Sequence, residues 1–502
     1  MPEPKEGEVH MGNKENRPSI IYILADDMGY GDLSCLNRES KICTTNFDRL
    51  ARDGMIFTDA HSSSAVCTPS RYSILTGRYS WRSRLKQGVI GGYTPALIEK
   101  GRMTVASMLK EQGYKTACIG KWHLGLDWKR TFDSPEAPPA QETKGINYSA
   151  PIKNGPIDYG FDYYFGISAS TDMPPFVYIE NDKVTELPEY DVEHTWFDCS
   201  KIVRKAPTAP HFKHEEILPK TTQKVLDTID QWAGKPFFIY FPLSAPHAPI
   251  LPTGEFAGKS GINKYADFVL MCDDVMGKIL GKLEENNIKD NTIIIFTSDN
   301  GCSPTADFDK LARCGHNPSY VFRGHKADIY EGGHRIPLIV KWTNYIKDGS
   351  ISDEPVCLAD FFATAADIVG YSIPDNAAED SVSNLPIWLG EKHAKPLREA
   401  IVHHSFYGSF SIRKGKWKLE MCPGSGGWSY PIPGEEAEGS PSIQLYNLED
   451  DISEKNNVYD RYPEVCDELK MLLRRYIKEG RSTPGKPQRN TGGDYWEQQH
   501  WL

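Results

Sequence analysis

Uninterrupted apolar runs alternate along this chain with stretches of helical period, and that alternation predicts the fold class. "SIIYILADD" (19–27) is a continuous apolar run ending in two carboxylates, the mark of a strand buried on both faces with polar residues at its C-terminal edge. "TNFDRLARDG" reads as a helix closed by glycine, "MIFTDAHS" as a returning strand, "TVASMLKEQG" as a helix and "YKTACIG" as a strand. The helix "TTQKVLDTIDQWAG" precedes the strand "PFFIYFPLS", and a long helix over "KYADFVLMCDDVMGKILGKLEENN" precedes "NTIIIFTSDNG". "RIPLIVKW" and "LADFFATAADIVG" add a strand and a helix. Helices alternating with apolar strands predict an α/β fold, a large and mostly parallel mixed sheet flanked by helices.

Two segments break this rhythm. Residues 127–160 are rich in proline, glycine and polar side chains and read as a surface excursion. From about 395 the strands shorten ("AIVHHSF", "FSIRKGKWKLEMC", "SIQLYNL"), separated by "PGSGGWSYPIPGEEAEGSP" and followed by the helix "CDELKMLLRRYIKEG". This predicts a smaller C-terminal α+β subdomain carrying an antiparallel sheet. The expected division is 18–394, 395–482 and a polar, loosely held tail at 483–502.

Composition narrows the function classes. With 502 residues, 39% hydrophobic and 25% charged, the chain has the balance of a globular enzyme-sized protein, and no apolar run approaches the length of a membrane span. The formal net charge of -11 argues against a nucleic-acid surface, so an anionic substrate needs local cations. The leader "MPEPKEGEVHMGNKENRP" has no hydrophobic region; export with a removed signal peptide and a cytoplasmic location both stay open. Eleven scattered cysteines form no zinc-like cluster, and one or two disulfides would fit an exported chain.

The candidate chemistry sits at strand ends. "ILADD" supplies Asp26 and Asp27, and "IIIFTSDN" supplies Asp299 and Asn300. Such residues also start ordinary turns. Carboxylates brought together from two strand ends need a cation, and an oxygen-only donor set selects a hard ion, calcium or magnesium. In "AVCTPSR", Thr68 reads as a helix N-cap and Pro69 as the first helical residue, with the helix stopping at Gly77. Cys67 then lies at the positive end of a helix, one turn from Arg71. "GKWHLG" places Lys121 and His123 two apart after a strand, "LSAPHAP" puts His247 past another, and "GHKADIYEGGHRIP" adds His325, Lys326, His334 and Arg335. Each has an ordinary structural explanation alone. Together they would give one sheet edge a nucleophile, a hard-metal site, cations and histidines, a set suited to a tetrahedral anion or its ester.

"CTPSR", "GKWHLG", "LADDMGYGD", "APHAP", "SDNG" and "K…EGG" together resemble the type I, formylglycine-dependent sulfatases, across roughly residues 18–480. The resemblance implies the alkaline-phosphatase-like fold and an arylsulfatase-like sulfuric ester hydrolase. It implies that a maturase oxidises Cys67 to formylglycine, whose hydrated gem-diol attacks sulfur and then expels sulfate from its own carbon. It implies calcium ligands at Asp26, Asp27, Asp299 and Asn300, diol-orienting roles for Arg71 and Lys121, a base at His123, and a sulfate-contacting, proton-donating pair at His247 and Lys326. Ser170 in "GISASTD" aligns with a sulfate contact; its neighbour is Thr171 where relatives often carry His. The expected substrate is a sulfated saccharide, with His403 and His404 reading the sugar and Trp81, Trp122, Trp128 and Trp196 as stacking candidates. Two alternatives stand beside it: a phosphonate or phosphate-ester hydrolase on the same scaffold, and a non-catalytic glycan-binding protein.

Overall fold

The computed structural model describes residues 17–131, 145–197, 201–436, 438–493 and 495–501. A ten-stranded sheet dominates. Its centre is five parallel strands in the spatial order Thr292–Ser298, Ser19–Ala25, Phe237–Pro242, Lys115–Lys121 and Tyr163–Ile167. Antiparallel strands extend both edges, Leu338–Lys341 on one side and Ile179–Glu180 on the other. The strand at 19–25 shows why these runs are apolar throughout. Ile20, Tyr22 and Leu24 enter one buried cluster with the helices Val105–Glu111 and Phe361–Val369. Ile21, Ile23 and Ala25 enter another, with Lys264–Glu285 and Ile217–Trp232. Alternating side chains serve opposite faces, and both faces are covered.

"MIFTDAHS" departs from expectation by splitting. Met55–Phe57 joins the main sheet, while Ala60–His61 pairs separately with Val356–Cys357. A hairpin of Tyr190–Phe197 and Lys201–Thr208 lies where no strand was expected. All ten described cysteines are free thiols. Among the described residues no helix is long and apolar enough to cross a membrane.

A four-stranded antiparallel sheet in chain order, Ile401–His404, Phe410–Lys414, Trp417–Glu420 and Gln444–Asn447, forms the smaller unit. The helix Pro463–Glu479 covers it through Leu469, Leu473 and Ile477. The tail is held, contrary to its polar composition. Thr491 N donates to Arg82 O at 2.7 Å, and Trp496 is buried beside Trp81 and Phe410.

Buried charge joins the two units. Asp59 takes Arg335 at 2.5 Å, Arg413 at 2.6 Å and His61 Nε2 at 2.6 Å, all four residues buried. Burial favours the neutral acid, but the two guanidiniums overcome it and hold the Asp59 carboxyl below the ordinary range. A folded-state pKa below the unfolded one gives stability that is present above the unfolded value and lost as pH falls through the folded one. Asp59→Ala strands two buried cations. It is expected to cost about 3 kcal/mol in urea unfolding at pH 7; a loss under about 0.5 kcal/mol, the range of a surface substitution, would show the cluster contributes nothing net.

Candidate active site

The five parallel strands end at one edge, and their first residues beyond it carry the chemistry. Asp26 and Asp27 follow the strand at 19–25, and Asp299 and Asn300 follow the strand at 292–298. Lys121 closes the strand at 115–121, Ser170 follows the strand at 163–167, and His247 follows the strand at 237–242. Consecutive residues of an extended chain point to opposite faces. Asp27 escapes that rule with a φ of 66°, a left-handed turn unusual for a non-glycine residue, and both carboxylates meet one cluster. His123 does the same with a φ of 57°. Lys121 and His123 are therefore not two positions of one extended strand; the strand stops at Lys121.

Cys67 opens a helix that spans Cys67–Thr76, and every residue of it is buried. The cap is Val66, not Thr68, which places Pro69 third in the helix rather than first. Proline is tolerated there because none of the first-turn N–H groups has a partner within the helix. Gly77 ends the helix as expected, with a φ of 64°; a Cβ there would meet that of Ala378 at 2.8 Å. Oxygen, nitrogen and sulfur atoms of Asp26, Asp27, Cys67 and His247 lie within 4.8 Å of one another.

Three cations answer three carboxylates. Lys121 Nζ donates to Asp26 Oδ2 at 2.6 Å and to Ser170 Oγ at 3.1 Å. Lys326 Nζ donates to Asp27 Oδ2 at 2.8 Å. Arg71 donates to Asp299 Oδ2 at 2.7 Å and 3.1 Å and to the Lys121 carbonyl at 2.9 Å. Burial raises Asp299 to about 6, helped by the Asp26 charge, while Lys121 keeps the buried Asp26 below the ordinary range. Burial alone would lower Lys326, yet Asp27 holds it above the usual lysine value. Burial lifts the Cys67 thiol to about 12, against the pull of Lys121 and Lys326. The unmodified thiol is therefore protonated at neutral pH, despite its place at a helix N-terminus.

Two buried oxygens, Asp26 Oδ1 and Asn300 Oδ1, have no hydrogen-bond partner. Asn300 Nδ2 donates to Asp27 Oδ1 at 2.8 Å, which aims the amide oxygen elsewhere. Unpartnered buried acceptors beside three carboxylates fit a hard cation.

The histidines are set by their neighbours. His123 Nε2 donates to the Ile90 carbonyl at 2.7 Å, which leaves Nδ1, buried and unpartnered, as the lone-pair nitrogen. Burial, then Lys121 and Arg71, hold its pKa well below the ordinary value, so it is neutral and basic in form. His247 bonds the Ala248 carbonyl through Nδ1, and its Nε2 lies 3.6 Å from Asp27 and 3.3 Å from Ser170 Oγ. Thr171 Oγ1 donates to the Ala248 carbonyl at 2.9 Å, fixing the loop.

The two C-terminal histidines correct the expectation. His403 lies inside the small sheet, its ring 3.8 Å from His334 and its Nδ1 3.0 Å from Ser411 Oγ, in the charged junction. His404, 1% exposed, contributes backbone: its N donates to Ser63 O at 3.2 Å and its O accepts Ala65 N at 3.1 Å, bracing the chain into Cys67. They project to opposite faces of one strand and both faces are covered, so neither ring stands on an exposed loop over the pocket as the sequence suggests. Trp81, Trp122 and Trp128 are equally buried, and the Trp196 side chain lies outside the described residues.

An α/β sheet whose strand ends gather a buried nucleophile position, a hard-cation donor set and convergent cations defines a hydrolase of tetrahedral oxyanion esters. The sulfatase family's sequence profile matches residues 18–371, and the chain belongs to that family. It is 35% identical over 504 residues to an N-acetylgalactosamine-6-O-sulfatase of Bacteroides thetaiotaomicron, covering 92% of this chain and 93% of the relative. It is 30% identical over 447 residues to the human N-acetylgalactosamine-6-sulfatase, covering 86% and 77%. A solved structure from work on glycosaminoglycan metabolism by Bacteroides thetaiotaomicron superposes with a TM-score of 0.79 at 34% identity, over 92% of this chain and 99% of that one. The chain is a sulfuric ester hydrolase.

Proposed function

We propose that this sulfatase removes 6-O-sulfate from N-acetylgalactosamine units of a sulfated glycan, with Cys67 as formylglycine made by a maturase. The observation that carries the reading is the convergence of Asp26, Asp27, Cys67, Lys121, His123, His247, Asp299 and Lys326 at one sheet edge, in a chain 35% identical to an N-acetylgalactosamine-6-O-sulfatase. Residues 18–394 form the catalytic unit, and 395–482 wall its pocket.

Hydrated formylglycine at position 67 would supply a gem-diol: one hydroxyl would attack sulfur, its proton passing to a carboxylate beside it as the alcohol leaves, and the other, on losing its proton, would break the bond from carbon to the sulfated oxygen, releasing sulfate and restoring the aldehyde. Asp26, Asp27, Asp299 and Asn300 would hold a calcium ion, which would supply positive charge against the sulfate oxygens. Arg71 and Lys121 hold those carboxylates in place, and the Lys121 ammonium also fixes Ser170, whose hydroxyl faces the sulfate. His247 and Lys326 stand together at Asp27, and the pair contacts the sulfate and gives the leaving sugar oxygen its proton. His123 takes the proton of the second hydroxyl on Nδ1, the nitrogen that the Ile90 hydrogen bond leaves free.

Turnover of 6-sulfated N-acetylgalactosamine is expected to exceed that of the 4-sulfated isomer and of a matched phosphate ester by at least about 100-fold in kcat/KM, the discrimination that a site built around one polar constellation achieves. Phosphate preferred over sulfate would overturn the reaction class; equal rates on the two isomers would overturn the 6-position.

A further inference from the structure

We propose that Trp428, with Tyr407 beside it, is a sugar-stacking platform on the rim of this pocket and takes the apolar face of a pyranose ring of the saccharide substrate. The proposal rests on the saccharide reading above. Trp428 is the one exposed tryptophan among the described residues, at 40%, and Tyr407 is 43% exposed. Both belong to loops of the small unit, and both are tied to the chain segments that carry Lys326 and Cys67.

The ties are short and numerous. Trp428 N and Ser429 N donate to Asp328 Oδ1 at 2.8 and 2.9 Å, while Asp328 Oδ2 accepts His325 N at 2.9 Å. One carboxylate therefore clamps the tryptophan loop onto both flanks of Lys326. Gly427 runs so close that a Cβ there would sit 2.3 Å from the Ala327 carbonyl oxygen. Ala327 N in turn donates to Ala65 O at 2.8 Å, two residues before Cys67. Phe406 N donates to the same Ala327 carbonyl at 2.9 Å, and its ring lies 5.4 Å from Trp428 and 5.0 Å from Tyr407. Gly88 N donates to Phe406 O at 2.6 Å, two residues from Ile90, the carbonyl that orients His123. Hydrogen bonds thus tie the aromatic surface to the segment leading into Cys67, to both flanks of Lys326 and to the segment leading into Ile90.

Trp428 and Tyr407 both pack on the Phe406 ring, so the exposed rings form one aromatic patch, and contiguous exposed apolar surface marks a binding site where a lone ring does not. Aromatic side chains give much contact area for little lost rotamer freedom, and their faces suit the C–H face of a pyranose. Preorganisation by Asp328 lowers the ordering cost further.

The test is steady-state kinetics of wild type, Trp428→Ala and Trp428→Phe on a 6-sulfated disaccharide and on a small aryl sulfate. Trp428→Ala is expected to raise KM for the disaccharide about tenfold with kcat within about twofold, the size of one lost aromatic anchor. The loss in kcat/KM should be at least about fivefold greater on the disaccharide than on the aryl sulfate, with Trp428→Phe recovering most of it. A disaccharide KM within about twofold of wild type would overturn the platform, as would equal losses on both substrates that phenylalanine does not repair. If wild type cleaves aryl sulfate but no sulfated saccharide, the saccharide reading falls and the platform falls with it.

Discussion

Cys67→Ala is expected to lower kcat/KM on any sulfate ester by about 10,000-fold or more, the scale seen when a covalent nucleophile is deleted, while the protein keeps its fold. The thiol is held near pKa 12 by burial, so no useful thiolate exists at neutral pH. Chain expressed without a maturase should therefore be as inactive as the alanine variant, and intact-protein mass spectrometry should track activity with the oxidised fraction. The fold survives because the sulfur sits among polar groups rather than in an apolar cluster: its neighbours are the Asp26 and Asp27 carboxylates and His247. Cys67 is only 2% exposed, so this is not a residue of an open cleft, but trading one sulfur for a methyl hydrogen in such a site costs about 1 kcal/mol. Multiple turnovers by Cys67→Ala would end the formylglycine account, and a collapsed urea transition would make Cys67 structural.

The strands were legible because burial on both faces leaves no polar position to blur them, as the unbroken "IIYILA" and "TIIIF" runs show. Their polar ends were legible for the same reason: a carboxylate directly after such a run has only the sheet edge to occupy. What stayed hidden depends on backbone turns and on partners distant in sequence. The left-handed turn at Asp27 leaves no compositional trace. The hairpin at 190–208 carries polar residues such as Glu193, Lys205 and Arg204 between its apolar ones and reads as loop. Asp59 and Arg413 lie 354 positions apart, so nothing near either predicts the pair that joins the two units. His403 and His404 looked available because a short strand near the C-terminus gives no hint of which face the junction covers. Trp428 sat in a Gly/Pro stretch whose texture says only loop; the clamp by Asp328 is a tertiary fact.

Removing the cation should reduce turnover about 1,000-fold, with calcium restoring it, because the protein's own charges leave the site unable to hold an anion. Asp26, Asp27 and Asp299 are matched by Lys121, Lys326 and Arg71, each pair in direct contact. Without a metal these six charges cancel and each ammonium is committed to a carboxylate. A divalent cation held by Asp26 and Asn300, whose Oδ1 atoms have no hydrogen-bond partner, would make the site net positive, which is what a sulfate ester needs in a pocket that excludes water. Dialysis against chelator should raise KM as well as lower kcat, and calorimetry should register calcium binding to wild type but not to Asp26→Asn. That variant should also fail to recover on calcium addition, since Lys121 and Arg71 then face a neutral amide and repel the ion. Full activity in metal-free protein, or calcium rescue of Asp26→Asn to wild-type rates, would show that the carboxylate cluster holds the lysines in place and nothing more.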